Sequence, residues 1–123
     1  MNINWIQIAS LLMFAAVGLG AFGAHAIKGK ITDTYLDVYK TAVLYHFIHA
    51  LGIFIVAWLS TTNQDPKISC AGIAFILGIT LFSGSLYLLS VTGLKWLGAI
   101  TPLGGLSFLA GWLFIFLSAT QGK

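Results

Sequence analysis

Charge is what this chain lacks most. Of its 123 residues 7% are charged, against roughly a quarter in ordinary globular domains. There is no arginine and no glutamate, and six lysines and three aspartates make up the charged set. A soluble fold of this size needs a mostly polar surface, which so few charges cannot cover. Hydrophobic residues reach 59% and the mean hydropathy is +0.96. These values exclude a soluble monomer, a disordered chain and a nucleic-acid binder. The isoelectric point near 9.2 points to no partner, because so few charges set it. The chain reads as an integral membrane protein whose first partner is the lipid bilayer.

Cysteine is nearly absent as well. Cys70 stands alone, which excludes an internal disulfide and says nothing of redox compartment. Its neighbours Ala71, Gly72 and Ile73 suggest a packed thiol. At the start of the chain Ala24-His25-Ala26 imitates a signal-peptide cleavage site. No Lys or Arg precedes Lys28, however, and the apolar run from Trp5 to Gly23 is longer than a usual signal core. The reading is a retained membrane helix.

A helix needs about 20 apolar residues to cross a bilayer. Four runs meet this, at about 5–26, 33–60, 68–91 and 101–119, within a single domain spanning residues 1–123. Lys28 and Lys30 close the first, with Gly29 between them as a breaker. The second starts near Thr32 or Asp33. Thr61 to Lys67 is a polar loop in which Pro66 suits a first helical turn. Gly93 is placed to end the third helix. Thr101 can cap the fourth, with Pro102 at its first position. Loops this short force successive helices to be antiparallel neighbours. The expected fold is all-α, an integral membrane four-helix antiparallel bundle.

Trp5, Trp58, Trp96 and Trp112 lie towards span ends, where indole rings favour the membrane interface. Lys28, Lys30, Lys40 and Lys95 fall on the side of the 1–2 and 3–4 connections, and Lys67, Lys123 and the α-amine on the other. The positive-inside rule places both connections in the cytoplasm and both termini outside.

Lipid tails are as apolar as leucine, so membrane helices associate through small residues and hydrogen bonds. Span 3 carries Ala71, Ala74, Gly78 and Ser85, and span 4 carries Gly104, Ser107, Gly111 and Ser118. Both sets keep spacings of three, four and seven, which share one helical face. Span 1 adds Ala9, Ala16, Gly20 and Gly23. These stripes are expected to face one another. The matching spacing does not extend to flanking residues, so it carries no repeat.

Ionisable residues within a span are costly and mark candidate sites. His46 and His49 stand at i and i+3 and share a face with Tyr35, Tyr39, Ala42, Ala50 and Ile53, while Asp33, Asp37 and Lys40 lie opposite. His25 ends span 1, on the side of Tyr39. Neutral imidazoles in such numbers can bind a transition metal, relay protons or tie helices together. No carboxylate lies within the apolar spans to complete a metal site, so any metal or cofactor stays unassigned. Ser83 and Ser85 flank Gly84, but the Gly-x-Ser-x-Gly elbow and the phosphate-loop patterns are missing.

At these positions the chain resembles a known family. Gly20-Ala21-Phe22-Gly23-Ala24-His25-Ala26, Tyr45-His46-Phe47-Ile48-His49-Ala50, Leu81-Phe82-Ser83-Gly84-Ser85-Leu86-Tyr87, Thr101-Pro102-Leu103-Gly104-Gly105 and Gly111-Trp112 look like the YgdD/YwdK-like small membrane proteins, to which a eukaryotic four-span protein is also similar. The resemblance covers nearly the whole chain in order. It implies four spans in a bacterial inner (plasma) membrane and no known activity, so it brings no catalytic residue. It singles out His25, His49, Ser83, Ser85, Tyr87 and Thr101.

The function expected is that of a non-enzymatic structural, assembly or membrane-organising protein, acting by itself, as a homo-oligomer or with a membrane-protein partner. The alternative is a binder or conduit for a lipid, quinone, haem or metal ion in a pocket lined by His25, Tyr39, His46, His49, Ser83, Ser85, Tyr87 and Thr101. The orientation is tested by single cysteines at either terminus. Labelling by an impermeant reagent from outside is expected, and labelling from the cytoplasm alone would reverse the assignment.

Overall fold

The computed structural model describes residues 3–120. Lys123 and the α-amine, two charges in the orientation argument, lie outside the described residues. The chain runs as α1 (Trp5–Val17), a π-helical turn (Gly18–Gly23), α2 (Ala24–Ile27), α3 (Asp33–Ser60), α4 (Pro66–Gly78), a second π-helical turn (Ile79–Ser83), α5 (Gly84–Thr92), a 3-10 turn (Lys95–Ala99) and α6 (Thr101–Thr120), with no strand among the described residues. These join into four stretches long and apolar enough to span a bilayer: Trp5–Ile27, Asp33–Ser60, Pro66–Thr92 and Lys95–Thr120. The all-α four-span architecture read from the sequence is the one observed.

Local chemistry sets most of the boundaries. The Asn4 side chain accepts the Gln7 amide at 3.0 Å and starts α1. The Thr32 hydroxyl accepts the Tyr35 amide at 3.2 Å and starts α3. Asp65 accepts the Lys67 amide at 2.9 Å with Pro66 at the first helical position, and the Lys67 ammonium returns to the carboxylate at 3.5 Å. Gly93, at φ +71, is the left-handed stop of α5. Thr101 departs from expectation. Its hydroxyl does not cap α6; it donates to Leu97 O at 3.4 Å and meets Ser85 Oγ at 2.6 Å. The preceding 3-10 turn hands its carbonyls on to α6, so Leu103 and Gly104 donate to Ile100 O and no side-chain cap is needed there.

Helix α3 has 28 residues, roughly 42 Å at about 1.5 Å per residue, against a hydrocarbon core of about 30 Å. The excess places its first two turns, with exposed Asp33, Asp37 and Lys40, in the headgroup layer. Span 1 packs on span 2, span 2 on span 3, and span 3 on span 4, the association of α4 with α6 being the most extensive.

The small residues meet large ones across these seams. The Gly78 position receives the Phe108 ring, Gly111 receives Phe75, and Gly72 receives the Trp5 indole. Gly20 lies against Val43 and Phe47, and Gly23 against the Tyr39 hydroxyl. Gly104 presses on the backbone of Phe82 itself. Glycine on each helix thus accepts an aromatic from the other, and the stripes interlock by alternation. Direct contact of small on small survives at Ser107, whose hydroxyl donates to Ala74 O at 2.6 Å.

Three side chains lie elsewhere than expected. Cys70 is exposed on the outer face of α4, because the neighbours that suggested packing, Ala71 and Gly72, turn inward past it. Trp5 is buried against Gly72. Trp112 stands in the middle of α6 with its N–H directed into the bundle. Trp58 and Trp96 remain the exposed indoles near span ends.

A Cβ at position 104 would collide with backbone, which cannot rotate away, whereas position 18 has open space around it. Gly104→Ala should therefore destabilise the bundle by about 1–3 kcal/mol. Gly18→Ala should be neutral or slightly stabilising through helix propensity. Thermal unfolding in detergent compares the two, and equal midpoints would refute the packing account.

Candidate functional site

The polar side chains of the spans form two clusters on successive turns of α3. Both project from its buried face, and each reaches a different helix.

The first cluster surrounds His46. Its Nδ1 meets the Tyr87 hydroxyl of α5 at 2.8 Å, and the Tyr87 ring lies 5.3 Å from that of Tyr39. Tyr39 donates to Leu19 O at 2.6 Å. That carbonyl belongs to the first π-helical turn and also accepts the Ala24 amide five residues on. The glycine at 23 leaves room for the tyrosine hydroxyl, so the π turn, the glycine and Tyr39 form one fitted joint between spans 1 and 2. Helices carry π turns rarely, and frequently at functional sites. On the other side of His46, Ser83 closes the second π turn and donates to Ala42 O of α3 at 2.8 Å. His46 itself is 3% exposed, and its Nε2 has no hydrogen-bond partner among the described residues. The Leu12 backbone of α1 lies beside the ring, outside hydrogen-bonding geometry.

The second cluster is an aromatic box around His49. Phe108 stacks on the imidazole with centroids 3.5 Å apart and planes 10° from parallel. Phe75 meets it edge-on at 5.3 Å. Trp112 Nε1 donates to His49 Nε2 at 2.9 Å, and His49 Nδ1 bonds Tyr45 O at 2.8 Å. An indole N–H can only donate. Nε2 must therefore be the acceptor and Nδ1 must carry the proton. The geometry assigns one tautomer of the neutral imidazole and uses both of its nitrogens.

The eight expected site residues therefore separate. Tyr39, His46 and Tyr87 come together, with Ser83 alongside. Ser85 pairs with Thr101 at the junction of α5 and α6, and Ser85 also donates to Phe82 O at 3.0 Å. His49 belongs to the other cluster. His25 joins neither: it is exposed at the end of span 1, in α2. The i, i+3 spacing does put His46 and His49 on one face, but their rings diverge, one toward α5 and one toward α6. Among the described residues no three His, Cys, Asp or Glu side chains converge as metal ligands would.

Trp112, Tyr45, Phe75 and Phe108 are the site residues that sequence reasoning passed over. One signal was available. Trp112 lies eleven residues after the first residue of α6 and eight before the last, too deep for an interfacial anchor.

A multi-span helical membrane protein with interlocking helices is the class this geometry defines. A family model described as a protein of unknown function (DUF423) matches residues 19–105. The UPF0382 membrane protein YwdK of Bacillus subtilis is 49% identical over 118 residues, covering 95% of this chain and 96% of that protein. The UPF0382 membrane protein SH2409 of Staphylococcus haemolyticus is 45% identical over 114 residues, 93% of each. The chain belongs to this DUF423/UPF0382 family of membrane proteins, in line with the resemblance read from its motifs. No solved structure matches it.

Replacing Trp112 by Phe keeps the ring packing and strands His49 Nε2. Membrane hydrogen bonds are worth about 0.6 kcal/mol on average and up to about 1.7 kcal/mol. Trp112→Phe should cost an amount in that range. A double-mutant cycle with His49→Phe should show coupling of the same size, and additive losses would dissolve the pair.

Proposed function

We propose that this protein is a non-enzymatic component of the bacterial inner membrane, acting through helix packing and contact with a membrane partner or a second copy, with both termini outside. The observation that carries the reading is the commitment of His49. Both of its nitrogens are engaged in ties to the helix backbone and to Trp112, which removes the span's second imidazole from general-base or metal chemistry. The hydroxyls follow the same rule: Ser83 and Ser107 are bonded to carbonyls of neighbouring helices, and Ser85 to Thr101. Spans 1 and 4 are the least buried and offer the faces on which a partner would pack.

A second reading, a ligand binder, is favoured by one atom, His46 Nε2, which is buried and unpartnered among the described residues. Native mass spectrometry and metal analysis of gently solubilised protein separate the readings. The first expects no bound species, with His46→Ala and His49→Ala lowering the unfolding midpoint. A stoichiometric ligand or metal that disappears in His46→Ala would overturn it in favour of the second.

A further inference from the structure

The lysines are distributed unevenly in a way that helix packing does not account for. Lys28, Lys30, Lys40 and Lys95 gather at the end of the bundle formed by the 1–2 and 3–4 connections, and all four are exposed. None forms an ion pair among the described residues, although Asp33 and Asp37 share that end. At the opposite end the described charges are Asp65 and Lys67, which pair with each other. One boundary thus carries four uncommitted ammonium groups against two carboxylates, and the other a balanced pair.

The same end has a shallow hollow of about 430 Å³ between the first connection and the close of span 3. Gly29, Lys30, Thr32 and Tyr35 line one side, and Ser90 and Thr92 the other. Gly29, at φ +82, bends the chain around its rim, and the Tyr35 ring rests against Gly93. The lining hydroxyls of Ser90 and Thr92 donate to Tyr87 O and Leu88 O, and Thr32 is occupied by its cap. The Tyr35 phenol and the Lys30 ammonium are the side-chain donors left without a partner among the described residues. Lys28 adjoins Gly29 in the chain, and Lys95 follows Gly93 by two residues. Asp33 and Asp37 are not part of the lining. The first turns of α3 beside it stand at headgroup depth, as its length requires. A hollow with free donors, positive surroundings and this depth suits an oxyanion held in the headgroup layer.

We propose that this hollow binds the phosphate of an anionic lipid headgroup, with Lys30 and Tyr35 as contacts and Lys28 and Lys95 supplying the surrounding charge. Free phosphate has the same chemistry, so the test separates the two sources. Protein in mild detergent is titrated with phosphatidylglycerol or phosphatidylcholine. Retained lipid is followed by native mass spectrometry and the unfolding midpoint in parallel. Phosphatidylglycerol should be retained several-fold more than phosphatidylcholine. The Lys30→Gln/Lys95→Gln variant should lose about tenfold or more of that preference, the loss expected for two juxtamembrane lysines. Tyr35→Phe should lose a few-fold, and Lys67→Gln, at the other end, none. These side chains lie outside the buried core, and an unchanged helical circular dichroism spectrum checks that the variants fold. Equal retention of both lipids, or a preference that survives the double variant, overturns the proposal. Stabilisation by millimolar inorganic phosphate equal to that by the lipid overturns the lipid source.

Discussion

A bilayer offers no water to a buried polar group, so every such group within the spans must find its partner in the protein. The bond between Trp112 and His49 shows how far this constraint reaches. The indole can only give a proton, so the histidine must receive one on Nε2 and keep its own on Nδ1, which in turn goes to the carbonyl of Tyr45. One contact between spans 2 and 4 therefore sets the tautomer, the ring orientation and the stacking of Phe108 on it. The rotation of α6 about its axis is set by the same contact. The seams between Gly78 and Phe108 and between Gly111 and Phe75 then fall into place on that face.

The same constraint explains the division of labour among the histidines. His25 sits at the water-facing end of span 1, where solvent can satisfy it, and it has no structural tie there. His49 is deep and fully engaged. His46 is equally deep and only half engaged, with Tyr87 on one nitrogen and nothing on the other among the described residues. An unsatisfied buried nitrogen is destabilising, so it is the one place in the described spans where the polar accounting does not close. It sits between two π-helical turns, one pressed on Tyr39 and one sending Ser83 to Ala42.

Span limits were legible in the sequence because charge and capping residues act locally. Thr32, Asp65, Pro66 and Gly93 declare their helix ends through bonds made within four residues. The buried face of span 2 was legible for a related reason: periodicity alone puts Tyr39, Ala42, His46, His49 and Ile53 together. What could not be read depends on how one helix is turned toward another. The aromatic box draws Tyr45, Phe75, Phe108 and Trp112 from three spans, and no spacing within one span encodes it. Cys70 was misread for the same reason, since small neighbours at 71 and 72 show that a face is packed without showing that position 70 shares it. Thr101 was misread because the 3-10 turn before it had already satisfied the amides that a cap would serve.

The π turns alter the meaning of distance along the chain. Each holds a residue more than an α turn would, so the helix beyond it is rotated by about 100° relative to an unbroken one. A single helical wheel drawn through span 3 therefore superimposes two different phases. The residues before Ile79 obey one and those after Ser83 obey the other. A homologue shorter by one residue in this turn would have the same hydropathy and the same span length. Its Tyr87 would nonetheless be aimed away from His46 and its Ser85 away from Thr101. Gap placement between residues 79 and 83 is thus a geometric statement about the bundle, and alignments that slide a gap freely along an apolar helix would erase it.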